Sequence, residues 1–163
     1  MADTPTEILS DERITTFGLL VEANRKLERL VEASLRHDHS LTRVEFEALV
    51  RLGRSPNRQV SMSDLAGQMV LTSGGITRLI DRLAGDDLVE RVSCPSDRRV
   101  QWAHLTEHGL ATVSQALETH LIDLDAHFFS AMSPDEQAVM TTVLDRLRSS
   151  CDESWAQDRS HTS

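Results

Sequence analysis

Apolar residues recur at helical spacing along most of this chain, and the rhythm changes to strand-like runs only in one central stretch. The first ten residues carry no periodicity and are expected to form a loose arm. Ser10 or Asp11 then caps a long helix running to about Arg36, with Ile14, Phe17, Leu20, Val21, Leu27, Leu30, Val31 and Leu35 as its stripe. His37-Asp38-His39-Ser40 reads as a break. Thr42 and Glu45 form a capping box for a helix through Val44, Phe46, Ala48, Leu49 and Leu52, which the turn formers of Gly53–Asn57 end. Gln59–Ser61 is a candidate short strand. Ser61, three residues before Asp64, opens a short helix with Met62, Leu65, Ala66 and Met69 inside. Val70 and Leu71 turn, and Thr72 caps a second helix whose Ile76, Leu79, Ile80 and Leu83 fall at i, i+3, i+4, i+7. Gly85 is expected to end that helix. Leu88–Val92 and Val100–Leu105 are β-like runs joined by Cys94-Pro95-Ser96-Asp97-Arg98-Arg99, a turn by its Pro, Ser and Asp. Thr106 caps a long helix through Leu110, Val113, Leu117, Leu121, Leu124 and Phe128. Ser133-Pro134-Asp135-Glu136 starts a last one, with Val139, Met140, Val143, Leu144 and Leu147, that fades near Ser150 into a polar tail.

Two short helices across a turn, followed by a hairpin with arginines at its tip, make a winged helix-turn-helix. The fold class is therefore mainly α with a small β-hairpin wing, carried between long flanking helices. The expected divisions are an arm (1–10), an N-terminal dimerisation helix (11–40), the winged unit (41–105), C-terminal dimerisation helices (106–150) and a polar tail (151–163). The second short helix is apolar on one face and shows Ser73, Gly74, Gly75, Thr77, Arg78, Asp81 and Arg82 on the other. That is the pattern of a recognition helix entering a major groove, although an ordinary amphipathic surface helix shares it. Arg78 is the candidate for a bidentate contact to guanine or for a phosphate clamp. Gly74 and Gly75 weaken the helix by about 1 kcal/mol each relative to alanine, a cost consistent with close backbone approach to DNA. Ser61 and Thr72 offer hydroxyls or N–H groups to phosphates. Arg82 and Arg91 read equally well as intrahelical or strand-surface charges.

Four motifs in one order carry a family resemblance: Leu79-Ile80-Asp81-Arg82-Leu83, Leu88-Val89-Glu90-Arg91, Pro95-Ser96-Asp97-Arg98-Arg99 and Leu105-Thr106-Glu107-His108-Gly109. Together they resemble the MarR family of transcription regulators, and the helical layout on both sides resembles the family across nearly the whole chain. The resemblance implies a homodimer presenting two recognition helices to a pseudo-palindromic operator of double-stranded DNA. It also implies that Asp97 holds an arginine in place while an arginine at the wing tip enters the minor groove, a role that Arg98 and Arg99 both fit. A small-molecule effector, often phenolic or an aromatic acid, is implied between the dimerising helices and the winged unit. Candidates to line its pocket are Phe17, Leu20, Asn24, His37, His39, Phe46, Arg51 and Trp102, and its occupancy would release DNA by changing the spacing of the recognition helices.

A formal charge of −9 is unusual for a DNA binder, but it is unevenly distributed. Residues 41–105 hold nine Arg against eight Asp and Glu, a net of +1, so the remainder of the chain carries −10. Local patches rather than total charge meet phosphates. No apolar run reaches the length of a membrane span, and the acidic start lacks a signal pattern, which points to the cytoplasm. Cys94 and Cys151 do not make a disulfide framework, though Cys94 beside the wing leaves a thiol switch open. Seven histidines invite a metal-sensor reading, through His37-Asp38-His39 with His104 or His108, or through His120 and His127; no compact ligand spacing supports it. The acidic total is the best support for a third alternative, a winged-helix module that binds protein. No GxSxG, P-loop, GxGxxG or HExxH motif is present, so neither an enzyme nor a cofactor is expected.

Overall fold

The computed structural model describes residues 8–93 and 100–160, with side chains as far as residue 151. The packing divides the chain into two bodies, residues 1–122 and 123–163.

In the first body α1 spans Glu12–His39. Asp11 caps it by accepting the Arg13 N–H, and Ser40, in the left-handed region at φ 55°, closes it by donating to the Leu35 carbonyl. His37, Asp38 and His39 therefore continue the helix, and the break falls at Ser40, because the stop is backbone chirality rather than loss of apolar rhythm. Next comes α2, Arg43–Arg54, with a complete Thr42–Glu45 capping box. Gly53 lies inside that helix, and the turn residues begin at Ser55, with Pro56–Arg58 as one tight turn. β1 is Gln59–Ser61, α3 is Met62–Gln68 and α4 is Ser73–Gly85. Gly85 is the last helical residue of α4. The left-handed position that turns the chain belongs to Asp87, at φ 62°.

β2 (Val89–Ser93) and β3 (Gln101–Leu105) pair antiparallel, and β1 pairs with the other edge of β3. The order β1-β3-β2 makes β3 the central strand. Its inward residues Ala103 and Leu105 are fully enclosed, and their partners Val60 and Val89 are buried with them. The core joins these to Leu49 and Leu52 of α2, Leu65 of α3, and Ile80 and Leu83 of α4. Removing the side chains of such enclosed leucines costs about 2–5 kcal/mol each.

α5 spans Glu107–His127. The Thr106 hydroxyl accepts the Gly109 N–H at 2.9 Å and lies 2.7 Å from the Asp87 carbonyl, pinning the helix start to the turn after α4. Gly109 is obligatory here: a Cβ would sit 2.0 Å from the Leu88 carbonyl oxygen. The second body contains a short turn, Phe129–Ala131, and α6, Pro134–Ser160. The start of α6 is the Ser133–Glu136 box, with the Glu136 carboxylate 2.8 Å from the Ser133 N–H and the Ser133 hydroxyl accepting from Glu136 at 3.4 Å. α6 continues to Ser160 instead of fading near Ser150. A loss of apolar rhythm does not stop a helix when no Gly or Pro follows. No described helix is long and apolar enough to cross a membrane.

Candidate DNA interface and the cleft behind it

The turn between α3 and α4 places the second helix of the pair with one face enclosed and the other open. Ile76, Leu79, Ile80 and Leu83 are buried, while Ser73, Gly74, Thr77, Arg78, Asp81 and Arg82 are exposed. Thr72 caps the helix by accepting the Gly75 N–H at 3.1 Å. The two glycines, alike in the sequence, differ in their surroundings. A Cβ on Gly74 would meet nothing within 4 Å, whereas one on Gly75 would press the Thr72 hydroxyl at 3.3 Å and the Leu71 Cβ at 3.7 Å. Gly75 serves the cap, and Gly74 keeps the outer surface low.

The four arginines of this region divide by partner. Arg78 makes no hydrogen bond or ion pair among the described residues, so its guanidinium is free for a ligand. Arg82 places Nη1 3.0 Å from Glu45 Oε1, joining α4 to α2. Arg91 places Nη2 2.6 Å from Asp81 Oδ1 and 3.2 Å from the Thr77 carbonyl, joining β2 to α4. Arg82 and Arg91 are thus struts on either side of the helix, the roles that spacing alone left open. Arg58, in the left-handed region, binds Glu107 at 2.8 Å and ties β1 to the start of α5.

Glu45 is buried with its charge. Burial pushes its carboxyl up, but the Thr42 N–H at 2.8 Å, the Thr42 hydroxyl at 2.8 Å and Arg82 outweigh that, and it stands below its ordinary value. The carboxylate that caps α2 therefore also fixes the roll of α4.

Ser61 is not available to phosphates. It is buried; its hydroxyl accepts the Asp64 N–H at 3.1 Å and donates to the Asp64 carboxylate at 2.6 Å. The same capping geometry that made it visible in the sequence consumes it. Thr72 stays on the exposed side. Asp97, Arg98 and Arg99, together with Cys94, lie outside the described residues.

Behind the winged unit a cleft of about 630 Å³ opens between α1, α2 and α5. Of the eight residues expected to line a ligand pocket it brings together Asn24, Phe46 and Arg51. The other five lie elsewhere. Phe17 and Leu20 are 67% and 46% exposed on α1. His37 holds Asp38 at 2.6 Å on the surface, and His39 bonds the Thr119 hydroxyl at 3.0 Å. Trp102 sits across from Ser61 and Val92 in the sheet. Its size suggested a lining role, but its strand directs it to the sheet. The missed lining residues include His120, whose ring meets Phe46 edge-on at 5.1 Å between centroids. Gly109, Val113, Ala116 and His120 share one helix face, so periodicity carried that signal. Arg54 also lines the cleft and makes no hydrogen bond or ion pair among the described residues. Among the described residues no three His, Cys, Asp or Glu side chains come together to hold a metal, and Cys151 is an exposed free thiol.

A helix-turn-helix with one open helix face, braced against a three-stranded sheet whose outer hairpin forms a wing, defines the winged-helix DNA-binding proteins. The MarR family model matches residues 41–100, the stretch that holds α2, α3, α4 and β2. The HTH-type transcriptional regulator YkoM of Bacillus subtilis is 30% identical over 123 residues, covering 74% of this chain and 77% of its own. AbsC, a MarR family regulator from Streptomyces coelicolor, superposes with a TM-score of 0.78 at 29% identity over 93% of this chain and 98% of its own. Sco3205, a MarR family regulator from the same organism solved in complex with DNA, gives 0.79 at 26% identity over 84% and 86%. The chain belongs to the MarR family of DNA-binding transcriptional regulators, which are not enzymes.

Proposed function

We propose that the protein is a homodimeric repressor that places α4 of each copy in successive major grooves of a pseudo-palindromic operator and leaves it when a small aromatic or phenolic ligand fills the cleft. The observation that carries this reading is the open face of α4, with Thr72, Ser73, Gly74, Thr77 and Arg78, which has no partner among the described residues, exposed along it, while both flanks of the helix are tied by Arg82–Glu45 and Arg91–Asp81. A rigid helix with one unsatisfied guanidinium suits base-edge readout, where a bidentate contact contributes about 1–3 kcal/mol of discrimination. Two copies related by a two-fold axis would space the helices by about 34 Å. Asp97 with Arg98 or Arg99 would add the minor-groove contact from the wing, and DNA bound to the related Sco3205 supports the nucleic-acid partner.

The dimer is supported by apolar side chains that each body leaves in the open. Ile14, Phe17, Leu20 and Leu30 on α1 are 46–67% exposed, and Val139, Met140, Val143, Leu144 and Leu147 on α6 are 37–63% exposed at helical spacing. Apolar faces of this extent mark interaction sites in water-soluble folds. The ligand reading rests on the cleft, whose volume lies within the range of about 300–1,000 Å³ common for small-molecule sites. Its floor of Leu27, Val31, Phe46 and Val50 suits an aromatic ring, and Arg54 suits a carboxylate or phenolate. Phe46, Val50 and Arg54 lie on α2, the helix that also holds Arg82 through Glu45, so an occupant that shifts α2 shifts α4.

The test is mobility shift of the full chain on its own upstream DNA. Specific retardation that is lost in Arg78→Ala and in Arg98→Ala/Arg99→Ala, and reversed by aromatic acids at cleft-filling concentration, is the expected result. Absence of any shift at low salt overturns the operator reading.

A further inference from the structure

The major groove is about 12 Å wide and a helix with its side chains about 10–12 Å across, so a helix lying there has a phosphate backbone along each flank. One flank of α4 is the wing side, where Ser73 and Thr77 stand beside Ser63, Arg91 and Gln101. The opposite flank is a groove of about 370 Å³, bounded by Gly75, Arg78, Leu79 and Arg82 of α4 and by the end of α1 and the start of α2. Four arginines line it, Arg36, Arg43, Arg78 and Arg82, against one carboxylate, Glu32.

We propose that this arginine-lined groove seats the sugar-phosphate backbone of the DNA on the side of α4 away from the wing, with Arg36 and Arg43 as phosphate contacts. The inference rests on the proposed operator binding and extends the interface to two elements, α1 and α2, outside the helix-turn-helix.

The groove is braced rather than collapsed. Glu32 accepts from Arg36 Nε at 2.6 Å and from the Arg43 backbone N–H at 3.0 Å, so it fixes the Arg36 side chain and satisfies the first turn of α2. Arg36 spends only Nε there and Arg82 only Nη1 on Glu45, while their side chains remain 64% and 65% exposed. Each keeps further N–H donors of its five. Arg43, 43% exposed, lies 3.3 Å from Glu47 and 3.9 Å from Glu28. Such exposed pairs contribute about 0–1 kcal/mol, so trading a carboxylate for a phosphate at Arg43 costs little. Arg78 has no competing partner at all among the described residues. A run of guanidiniums beside the open face of α4 matches a polyanion better than a single small anion, because the positive charge is spread over three helices, Arg36 on α1, Arg43 on α2 and Arg78 and Arg82 on α4.

The experiment measures affinity of the full chain for operator and for unrelated duplexes across a salt series. Variants are Arg36→Gln, Arg43→Gln, their double and the charge-preserving double Arg36→Lys/Arg43→Lys. Each removed phosphate contact lowers the magnitude of the slope of log affinity against log salt by about 0.9. The glutamine double is expected to flatten it by about 1.8, weaken operator and unrelated DNA alike, and recover most of the slope in the lysine double. A glutamine double that keeps the wild-type slope, whether or not its affinity drops, overturns the groove as a backbone seat while leaving operator binding intact. Wild-type protein that binds no duplex at low salt fails the operator reading itself, and the groove falls with it.

Discussion

In the winged unit Leu49, Leu52, Leu65, Ile80, Leu83 and Leu105 are fully enclosed, whereas Phe17, Leu20, Val139, Val143 and Leu147 on the terminal helices α1 and α6 stand 38–67% exposed. Both regions carry apolar residues at helical spacing in the sequence. The difference is in what each stripe meets: the winged unit folds its helices onto a sheet of its own, whereas α1 buries only the Leu35 end of its stripe and leaves Ile14, Phe17 and Leu20 exposed, and α6 leaves Val139, Val143 and Leu147 exposed. Stability in the first region is a property of one chain, and in the proposed dimer the second region would draw part of its stability from the partner. Substitutions that are equivalent on paper should therefore divide into those that lower the melting temperature at any concentration and those that act only through assembly.

The largest effect is expected at the junction of β2, β3 and α5. Gly109→Ala drives a methyl group to 2.0 Å from the Leu88 carbonyl and 2.8 Å from Leu105 Cδ1. The nearer neighbour is backbone and Leu105 is fully enclosed, so the helix start or the sheet must move. The cost should be about 3 kcal/mol or more, at the top of the range for overpacking, read as a drop in denaturant midpoint. Leu49→Ala should lose a similar amount through its cavity, while Leu147→Ala should leave the midpoint of the isolated chain nearly unchanged. An equal loss at Leu49 and Leu147 would break the contrast between the two regions.

On the other side of the comparison, the proposed dimer requires that Val143→Lys or Leu147→Lys shift the mass in sedimentation from dimer to monomer and weaken binding to the proposed operator, with the winged unit still folded by circular dichroism. A charge placed in a buried apolar interface loses hydration that nothing repays. A variant that stays dimeric and bound would take α6 out of the interface.

Glu45 sharpens the contrast inside the winged unit, since there the same residue caps α2 and braces α4. Glu45→Gln keeps the shape and removes the charge, leaving the Arg82 strut and the Thr42 N–H with a weaker acceptor. The cost should be about 1–3 kcal/mol, together with weaker operator binding. Its pH dependence has a definite sign. The folded carboxyl lies below its ordinary value, so its contribution is complete above about pH 4.3, the unfolded glutamate value, and is lost as pH falls through the folded value. Wild type should lose stability on acidification more steeply than Glu45→Gln.

Much of the fold was legible because its signals are local. Thr42–Glu45, Ser61–Asp64, Thr72 and Ser133–Glu136 are caps written within four residues, and each starts the helix it was expected to start. The stops were less legible. Ser40 and Asp87 turn the chain by adopting positive φ, a choice made by tertiary context, while Gly85, expected to end α4, is its last helical residue. The open face of α4 followed from its period, but the partners that sort its arginines did not. Arg82 meets a glutamate 37 positions earlier, and Arg91 an aspartate ten positions earlier on another element. The cleft was least legible, since residue chemistry alone points to Phe17, Leu20, His37, His39 and Trp102, and only the crossing of α1, α2 and α5 decides which side chains face one space.

The smallest expected effect concerns the turn between α3 and α4, which carries the most exposed large apolar residue of the winged unit among the described residues. Val70 is 86% exposed and takes φ 53°, a left-handed conformation that a β-branched residue tolerates poorly. Its N–H donates to the Gly67 carbonyl at 3.2 Å and the following N–H of Leu71 to the Ala66 carbonyl at 2.9 Å, so the conformation is held by the α3 terminus rather than by the valine side chain. Glycine adopts it without the Cβ penalty, at some loss of unfolded-state restriction. Val70→Gly should therefore stabilise the chain by up to about 1 kcal/mol and leave operator affinity unchanged. If stability rises while affinity falls, the strained valine instead belongs to the proposed DNA-facing surface, and the turn would join Arg78 in it.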